Sequence, residues 1–247
     1  MQRADPILVF DLDGTLLRLN SFPLWVLYLT FGRIRRLSRK QRLHVTWLAL
    51  RLLTLRKLGR MDHETLLRHM QALWHFATAG DEGDAAQRLG SLLLRCMRGN
   101  VAPALKLVTD GAMDGVMATA AAEEYAEALS HRIGLTNILA TRGGRGHGEP
   151  GNSGEHKRVR LLAWLQERGW AGRPLIFFND HMADLPLMRE SSIVCWFGSD
   201  RALTEARQAA PNVRFVACRG LSEREMRATV AHLYQSVTLA QMTGHAA

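Results

Sequence analysis

The chain has few cysteines, no long apolar run and, over one long interval, no acid. Cys96, Cys195 and Cys218 make neither an even framework nor a CxxC pair. That excludes a disulfide scaffold, and buried reduced thiols in a cytosolic protein are expected. No apolar run reaches the ~20 residues needed to cross a bilayer. Residues 1–6 are polar and short, so no signal peptide is expected. Internal repeats are absent. Between Asp13 and Asp62 there is no Asp or Glu, while the interval holds 11 basic residues, from Arg18 through Arg39, Lys40, Arg42 and Arg51 to Arg60. Taking those 11 from the 32 basic residues leaves 21 against 23 acidic ones, so the net charge of +9 belongs to one segment. Basic and aromatic residues do not interleave and no helix-turn-helix pattern occurs, so nucleic acid is not an expected partner.

What is present suits a sizeable α/β domain, alone or with an insertion: 247 residues, 47% hydrophobic and 22% charged. Ile7-Leu8-Val9-Phe10 reads as a buried strand. Asp11, Asp13, Gly14 and Thr15 follow it. Strand pleating would put Asp11 and Asp13 on one side at the strand end, and Gly14 permits a sharp turn. Two carboxylates that close need a proton or a cation between them, and oxygen ligands suit a hard cation such as Mg²⁺. A bare Asp-x-Asp-Gly also describes a strand running into an ordinary turn.

Residues 17–100 read as four helices: 21–31, 38–58 capped by Ser38, 62–76 capped by Asp62, and one from Asp81 or Asp84 to Met97. Strands and helices then alternate. Strands are expected at 115–119, 137–140, 174–178, 192–196 and 213–216. Helices are expected at 103–111, 122–132, 155–168, 200–209 and from Ser222, in a capping box with Glu225, to about Leu239. Residues 142–154 read as a mobile glycine-rich loop. The alternation predicts a Rossmann-like, doubly wound parallel sheet with ligands at the strand C-termini, split by an all-helical insertion after its first strand. The expected division is 1–16 with 101–247 as core and 17–100 as cap.

Three further stretches fall at strand or helix ends. Thr119 closes the strand Val116–Ala118, where a hydroxyl and the following N–H groups can donate to a phosphate; a strand-end Thr is most often structural. Lys157 stands in a first helical turn, unfavourable for the helix dipole unless its ammonium faces an anionic site. His156 beside it is expected to be exposed. Asp180 and Asp184 follow the strand Leu175–Phe178, in a place where Asx turns and helix caps also occur.

These four stretches, in this order, resemble motifs I to IV of the haloacid dehalogenase superfamily, in its phosphoserine-phosphatase-like subgroup. The resemblance covers roughly residues 6–18 and 100–218. It implies that Asp11 is a nucleophile forming an aspartyl-phosphate and Asp13 the general acid/base. Mg²⁺ would be held by Asp11, the carbonyl of Asp13 and Asp180, with Asp184 in support. Lys157 would neutralise the aspartate–phosphate charge. Thr119, Gly14, Ala120 and Asn20 are the expected phosphate and substrate contacts. Ala121 stands where many members carry a second Ser, which leaves one donor fewer. Asn179 and His181 stand where smaller residues are common. Asp13 favours a phosphatase over a dehalogenase, since a halide needs no proton. Phosphoserine phosphatases carry a Glu at the position of Asn20 to meet the substrate ammonium, so Asn20 argues against phosphoserine.

The helix over 38–58 has more leucine than one buried stripe needs, with basic clusters at its flanks, as an interfacial element has. Some members of the subgroup act on lipid phosphates such as phosphatidylglycerophosphate. A bundle burying its own leucines is the plainer account; the sharper one is peripheral contact with anionic membrane at its cytoplasmic face. The leading expectation is a Mg²⁺-dependent phosphomonoesterase on a small-molecule or lipid phosphate. The competing one is a catalytically impaired relative that serves as a membrane-surface binding module.

Overall fold

In the computed structural model, residues 5–32, 34, 37–143 and 150–244 are described. The expectation of a mobile loop falls, at residues 144–149, outside them.

Six strands form one parallel sheet: β1 (Ile7–Phe10), β2 (Gly115–Ala122), β3 (Ile138–Thr141), β4 (Leu175–Asn179), β5 (Ile193–Trp196) and β6 (Arg214–Ala217), in the order β3-β2-β1-β4-β5-β6. β1 pairs with both β2 and β4, so it is central, and it is fully buried. This explains why Ile7–Phe10 is apolar throughout rather than alternating. Leu8 and Phe10 join one core and Ile7 and Val9 the other. Among the described residues the α-helices are α1 (Ser21–Phe31), α2 (Arg39–Lys57), α3 (His63–Thr78), α4 (Glu82–Leu94), α5 (Ala102–Thr109), α6 (Glu123–Arg132), α7 (Gly154–Glu167), α8 (Leu185–Glu190), α9 (Asp200–Ala209) and α10 (Glu223–Gly244). Leu161 and Leu165 of α7, Leu187 of α8 and Leu203 of α9 pack on the Val9 face; Leu105 of α5, Tyr125 of α6 and Met226 of α10 pack on the Phe10 face.

Between β1 and β2 stand the four inserted helices. Ser38 and Gln41 form a capping box, and Asp62 caps α3 by accepting from Thr65 N–H at 2.7 Å. Trp25, Trp74 and Leu89 share a continuous core with Phe10 and Leu129. Gly90 allows α4 to lie against α6, since a Cβ there would stand 3.3 Å from the Ala128 backbone. The chain enters and leaves the insertion side by side, with Leu17 and Met97 paired antiparallel.

Several expected boundaries move. β1 stops at Phe10, so Asp11 and Asp13 are not on a pleat; the turn over Leu12–Leu16 brings both to one cavity. β2 does not end at Thr119 but runs on to Ala122, because its register with β3 shifts between Ala118 and Ala122 and the ladder resumes there. α4 stops at Leu94 rather than Met97, which is claimed by the pairing with Leu17. Cys195 and Cys218 are buried, whereas Cys96 is only half-buried.

Candidate active site

The order of strands reverses between β1 and β4, and a crevice at their C-terminal ends is the ligand position of such sheets. A cavity of about 580 Å³ opens there. Asp11, Asp13, Gly14, Thr119, Ala120, Lys157, Asp180 and Asp184 all line it, brought from four separate stretches of sequence. Asn20 lines it too.

Each side chain is placed by its own local structure. Asp11 N–H continues the ladder to Phe178 O at 3.0 Å, which fixes the carboxyl just past the strand. Gly14 has φ of 71°, and a Cβ there would collide with the Asp180 carboxylate; only glycine lets the two loops meet. Lys157 is 1% exposed. Its Nζ donates to Asp11 Oδ1 at 2.8 Å and to Asp184 Oδ2 at 2.6 Å. The other Asp184 oxygen accepts from Gly154 N–H at 3.2 Å, at the start of α7. Asp184 is thereby engaged on both oxygens and anchors the lysine. His156 is exposed.

Asp13 Oδ1 accepts from Ser21 N–H at 2.8 Å. Ser21 is the first residue of α1, so a cap helix aims its N-terminus at this carboxylate. Ser21 Oγ lies 2.9 Å from the buried Tyr125 hydroxyl on α6, and the two share a hydrogen bond. Thr119 is buried, and its Oγ1 accepts from Ala121 N–H at 3.1 Å. Asn152 pins this edge of the site: its Nδ2 donates to Thr119 O at 3.0 Å and to Leu139 O at 2.7 Å. Asn20 has a second duty. Its Oδ1 caps α1 by accepting from Phe22 N–H at 2.9 Å, so only its amide nitrogen is left for a ligand. Ala120 contributes backbone rather than side chain, and its carbonyl accepts from Thr141 Oγ1 at 2.9 Å. His181 lines the cavity while its Nδ1 caps the next turn through Ala183 N–H at 3.1 Å.

The electrostatics follow from burial. Desolvation raises the Asp11 carboxyl to about 7, although the neighbouring Lys157 ammonium pulls it down. Burial also raises Asp13, against the Ser21 hydrogen bonds, and raises Asp180, against His181. Lys157 is held above its usual range because the attraction of Asp11 and Asp184 outweighs its own burial.

These groups fit a divalent cation. Lys157 is the one cation hydrogen-bonded within the carboxylate cluster among the described residues, and it leaves Asp13 and Asp180 unpaired by any salt bridge. Asn179 Oδ1, buried beside Asp180, has no hydrogen-bond partner among the described residues. No three His, Cys, Asp or Glu side chains among the described residues converge into a closed cage. Mg²⁺ needs none, since it keeps several waters and takes one or two carboxylates.

A profile of the haloacid dehalogenase-like hydrolases matches residues 8–189. The chain belongs to that family. Its fold is similar to that of a protein of unknown function from Bordetella pertussis Tohama I, with a TM-score of 0.68 at 18% identity, over 87% of this chain and 99% of that one. It is also similar to a probable phosphoserine phosphatase from Vibrio cholerae, with a TM-score of 0.59 at 13% identity, over 94% of this chain and 67% of that one. A substrate-bound phosphoserine phosphatase gives 0.55 at 12% identity, over 90% and 96% of the two chains. At these identities the likeness is one of fold. No curated protein matches the chain in sequence.

Three features of the site have weak sequence signals. Tyr125 and Ser21 sit in unremarkable helical stretches, and only the fold joins them. Asn152 is a lone buried Asn at the end of a glycine-rich stretch. Arg18, Arg98 and Arg219 line the cavity mouth from three separate segments.

Proposed function

We propose that the protein is a Mg²⁺-dependent phosphomonoester hydrolase acting through an aspartyl-phosphate on Asp11. The observation that carries this reading is the buried Lys157, which bridges Asp11 and Asp184 in the cavity that Asp13 also lines. Lys157 sets the rotation of the Asp11 carboxylate and offsets charge that would repel a phosphate dianion. Asp11 attacks phosphorus in line with the leaving oxygen. Asp13 is held by Ser21 N–H on one oxygen, which leaves the other to carry a proton. Its raised pKa suits it to protonate the leaving oxygen and then to take a proton from the hydrolytic water. Thr119 and the backbone of Ala120 are the phosphate contacts, with Gly14 beside them, its own N–H donated to Leu19 O at 3.3 Å. Asp11, Asp180 and the Asp13 carbonyl would hold Mg²⁺, with Asp184 behind them, and the ion would screen the carboxylates from the phosphate. Asp11→Asn should lower turnover of an aryl phosphate with Mg²⁺ by at least ~10³-fold; an active variant would overturn the assignment.

The cap supports peripheral contact with an anionic membrane, where a lipid phosphate would be met. On α2, Val45 and Ala49 face the core, but Leu43, Trp47 and Leu50 are 72%, 56% and 58% exposed. The bundle therefore does not bury all its own apolar residues. The three lie at i, i+4 and i+7 on one face. Arg51 stacks over Trp47 at 5.5 Å, and Arg39, Lys40, Arg56 and Lys57 stand at the ends of the same helix. No helix among the described residues is long and apolar enough to cross a membrane. Sedimentation with anionic vesicles at low salt tests this contact, and Trp47→Glu with Leu43→Glu should abolish it.

A further inference from the structure

The cavity is lined by charge of both signs. Among its lining residues all four carboxylates, Asp11, Asp13, Asp180 and Asp184, belong to the catalytic cluster. The remaining lining carries Arg18, Arg98 and Arg219 and no further acid. Two of these arginines are placed together by the entry to the cap. Leu17 and Met97 pair as a single antiparallel bridge, and Arg18 and Arg98 each follow one of its partners. Leu17 is buried, and Arg18 and Arg98 both line the cavity. Backbone bonds hold this register: Arg18 N–H to Cys96 O at 2.9 Å and Arg98 N–H to Leu16 O at 2.8 Å. Arg219 reaches the same cavity from the loop after β6.

Arg98 is oriented rather than loose. Its Nε donates to Gly14 O at 3.1 Å and its guanidinium lies 5.5 Å from the Phe197 ring centroid. That leaves its terminal fork without a hydrogen bond among the described residues. None of the three arginines makes a salt bridge among the described residues, although acid–base pairs are common elsewhere in the chain. Burial and the charges of Arg219 and Arg18 hold the Arg98 guanidinium below its usual range, against the opposing pull of Asp180. Three guanidinium groups lining one cavity, none of them in a salt bridge among the described residues, suit an anionic ligand.

We propose that Arg18, Arg98 and Arg219 form a subsite for a second anionic group, carried on the leaving-group side of the substrate. The substrate is then a phosphomonoester with an anionic tail, either a carboxylate or a further phosphate, and not one with an ammonium tail. This rests on the phosphomonoesterase reading for the word substrate, but anion binding at the subsite can be read without turnover.

The test uses a matched three-carbon series: 3-hydroxypropyl phosphate, 3-phosphooxypropanoate and 1,3-propanediol bisphosphate. With wild-type protein, kcat/KM for one anionic-tail compound should exceed that for the neutral one at least 30-fold, and the preferred compound tells carboxylate from phosphate. In Arg18→Gln/Arg219→Gln that ratio should collapse to within threefold of one. Both residues are exposed and make no side-chain hydrogen bond among the described residues, whereas Arg98 also holds Gly14 and is left in place. A parallel calorimetric titration uses propylphosphonate, 3-phosphonopropanoate and propane-1,3-bisphosphonate, which cannot be hydrolysed. The wild type should bind an anionic-tail phosphonate at least tenfold more tightly than propylphosphonate, and the double variant should not. Selective binding without turnover of any phosphate supports the subsite and sinks the phosphatase reading. Turnover without tail selectivity, or selectivity unchanged in the double variant, overturns the subsite.

Discussion

Replacing Lys157 by Met tests the core of the site through stability as well as activity. The ammonium is buried and bonded to two carboxylates, at 2.8 and 2.6 Å. Methionine is of similar length and leaves no cavity, so the loss is electrostatic rather than steric. Removing one partner of a buried ion pair costs about 3–5 kcal/mol, because the remaining charge is left without compensation. The cost must depend on pH in a definite direction. The Asp11 carboxyl is raised to about 7 in the folded protein, from a usual value of 3.8. A raised carboxyl contributes stability that is fully present below its unfolded pKa and is lost as pH rises through the folded one. Without Lys157 that folded pKa rises further, at about 1.4 kcal/mol for each added unit once the pH is above it. At pH 5.5 Asp11 is protonated in both proteins, and its share of the penalty vanishes. Urea unfolding followed by fluorescence of the six tryptophans should give a loss of about 3–5 kcal/mol at pH 8 and a distinctly smaller one at pH 5.5. Equal losses at the two pH values, or less than about 1 kcal/mol at pH 8, would refute the account of a buried ion-paired cluster.

Other changes probe the remaining parts. Gly14→Ala places a side chain at φ of 71° and drives its Cβ into the Asp180 carboxylate; about 1–3 kcal/mol of strain is expected, with weakened Mg²⁺ binding by calorimetry. Mg²⁺ should stabilise the wild type as pH rises through about 7, where Asp11 ionises. At 100 times its Kd it should add about 2.7 kcal/mol at pH 8, or roughly 5–10 °C in Tm for a chain of this size, and little at pH 5.5; calorimetric melting checks both. Asn152→Ala removes the bonds to Thr119 O and Leu139 O, and should raise KM for an aryl phosphate more than it lowers kcat, since on the proposed reading it moves a phosphate contact and not the nucleophile. Raising salt from 50 to 300 mM should release the protein from anionic vesicles, because the contact through α2 draws on exposed charge; retention at 300 mM would argue for apolar insertion alone.

Much of the fold was legible because its signals are local. The apolar run Ile7–Phe10 is buried on both faces, and the capping residues Ser38, Asp62 and Ser222 stand where helices begin. Asp11, Asp13, Lys157, Asp180 and Asp184 were found as motifs, and the sheet brings them to one cavity. The misses share a cause. The end of β2 depends on a register shift against β3, and the end of α4 on the pairing of Met97 with Leu17; both are set by chain segments distant in sequence. Asn20 was legible as a departure from an acidic residue, but its duty as the α1 cap appears only with Phe22 N–H in place. The three arginines of the cavity mouth come from segments some eighty and two hundred residues apart, so no window of sequence could join them.

The cap and the chemistry are not separable parts of this molecule. Asp13 belongs to the core, yet the hydrogen bond that orients it comes from Ser21, the first residue of the cap's first helix. Ser21 is tied in turn to Tyr125 on α6, a core helix that packs against α4 of the cap. The arginines beside Leu17 and Met97 stand on the two strands through which the cap is attached. A rotation of the cap about that bridge would therefore move the donor away from the Asp13 carboxylate and change the spacing of Arg18 and Arg98 in the same motion. Withdrawing Ser21 N–H removes a bond that favours the ionised form of Asp13, so its pKa would rise with opening. On the proposed reading, the first cap helix, the Asp13 carboxylate and the arginines that line the cavity are thus held by one set of bonds.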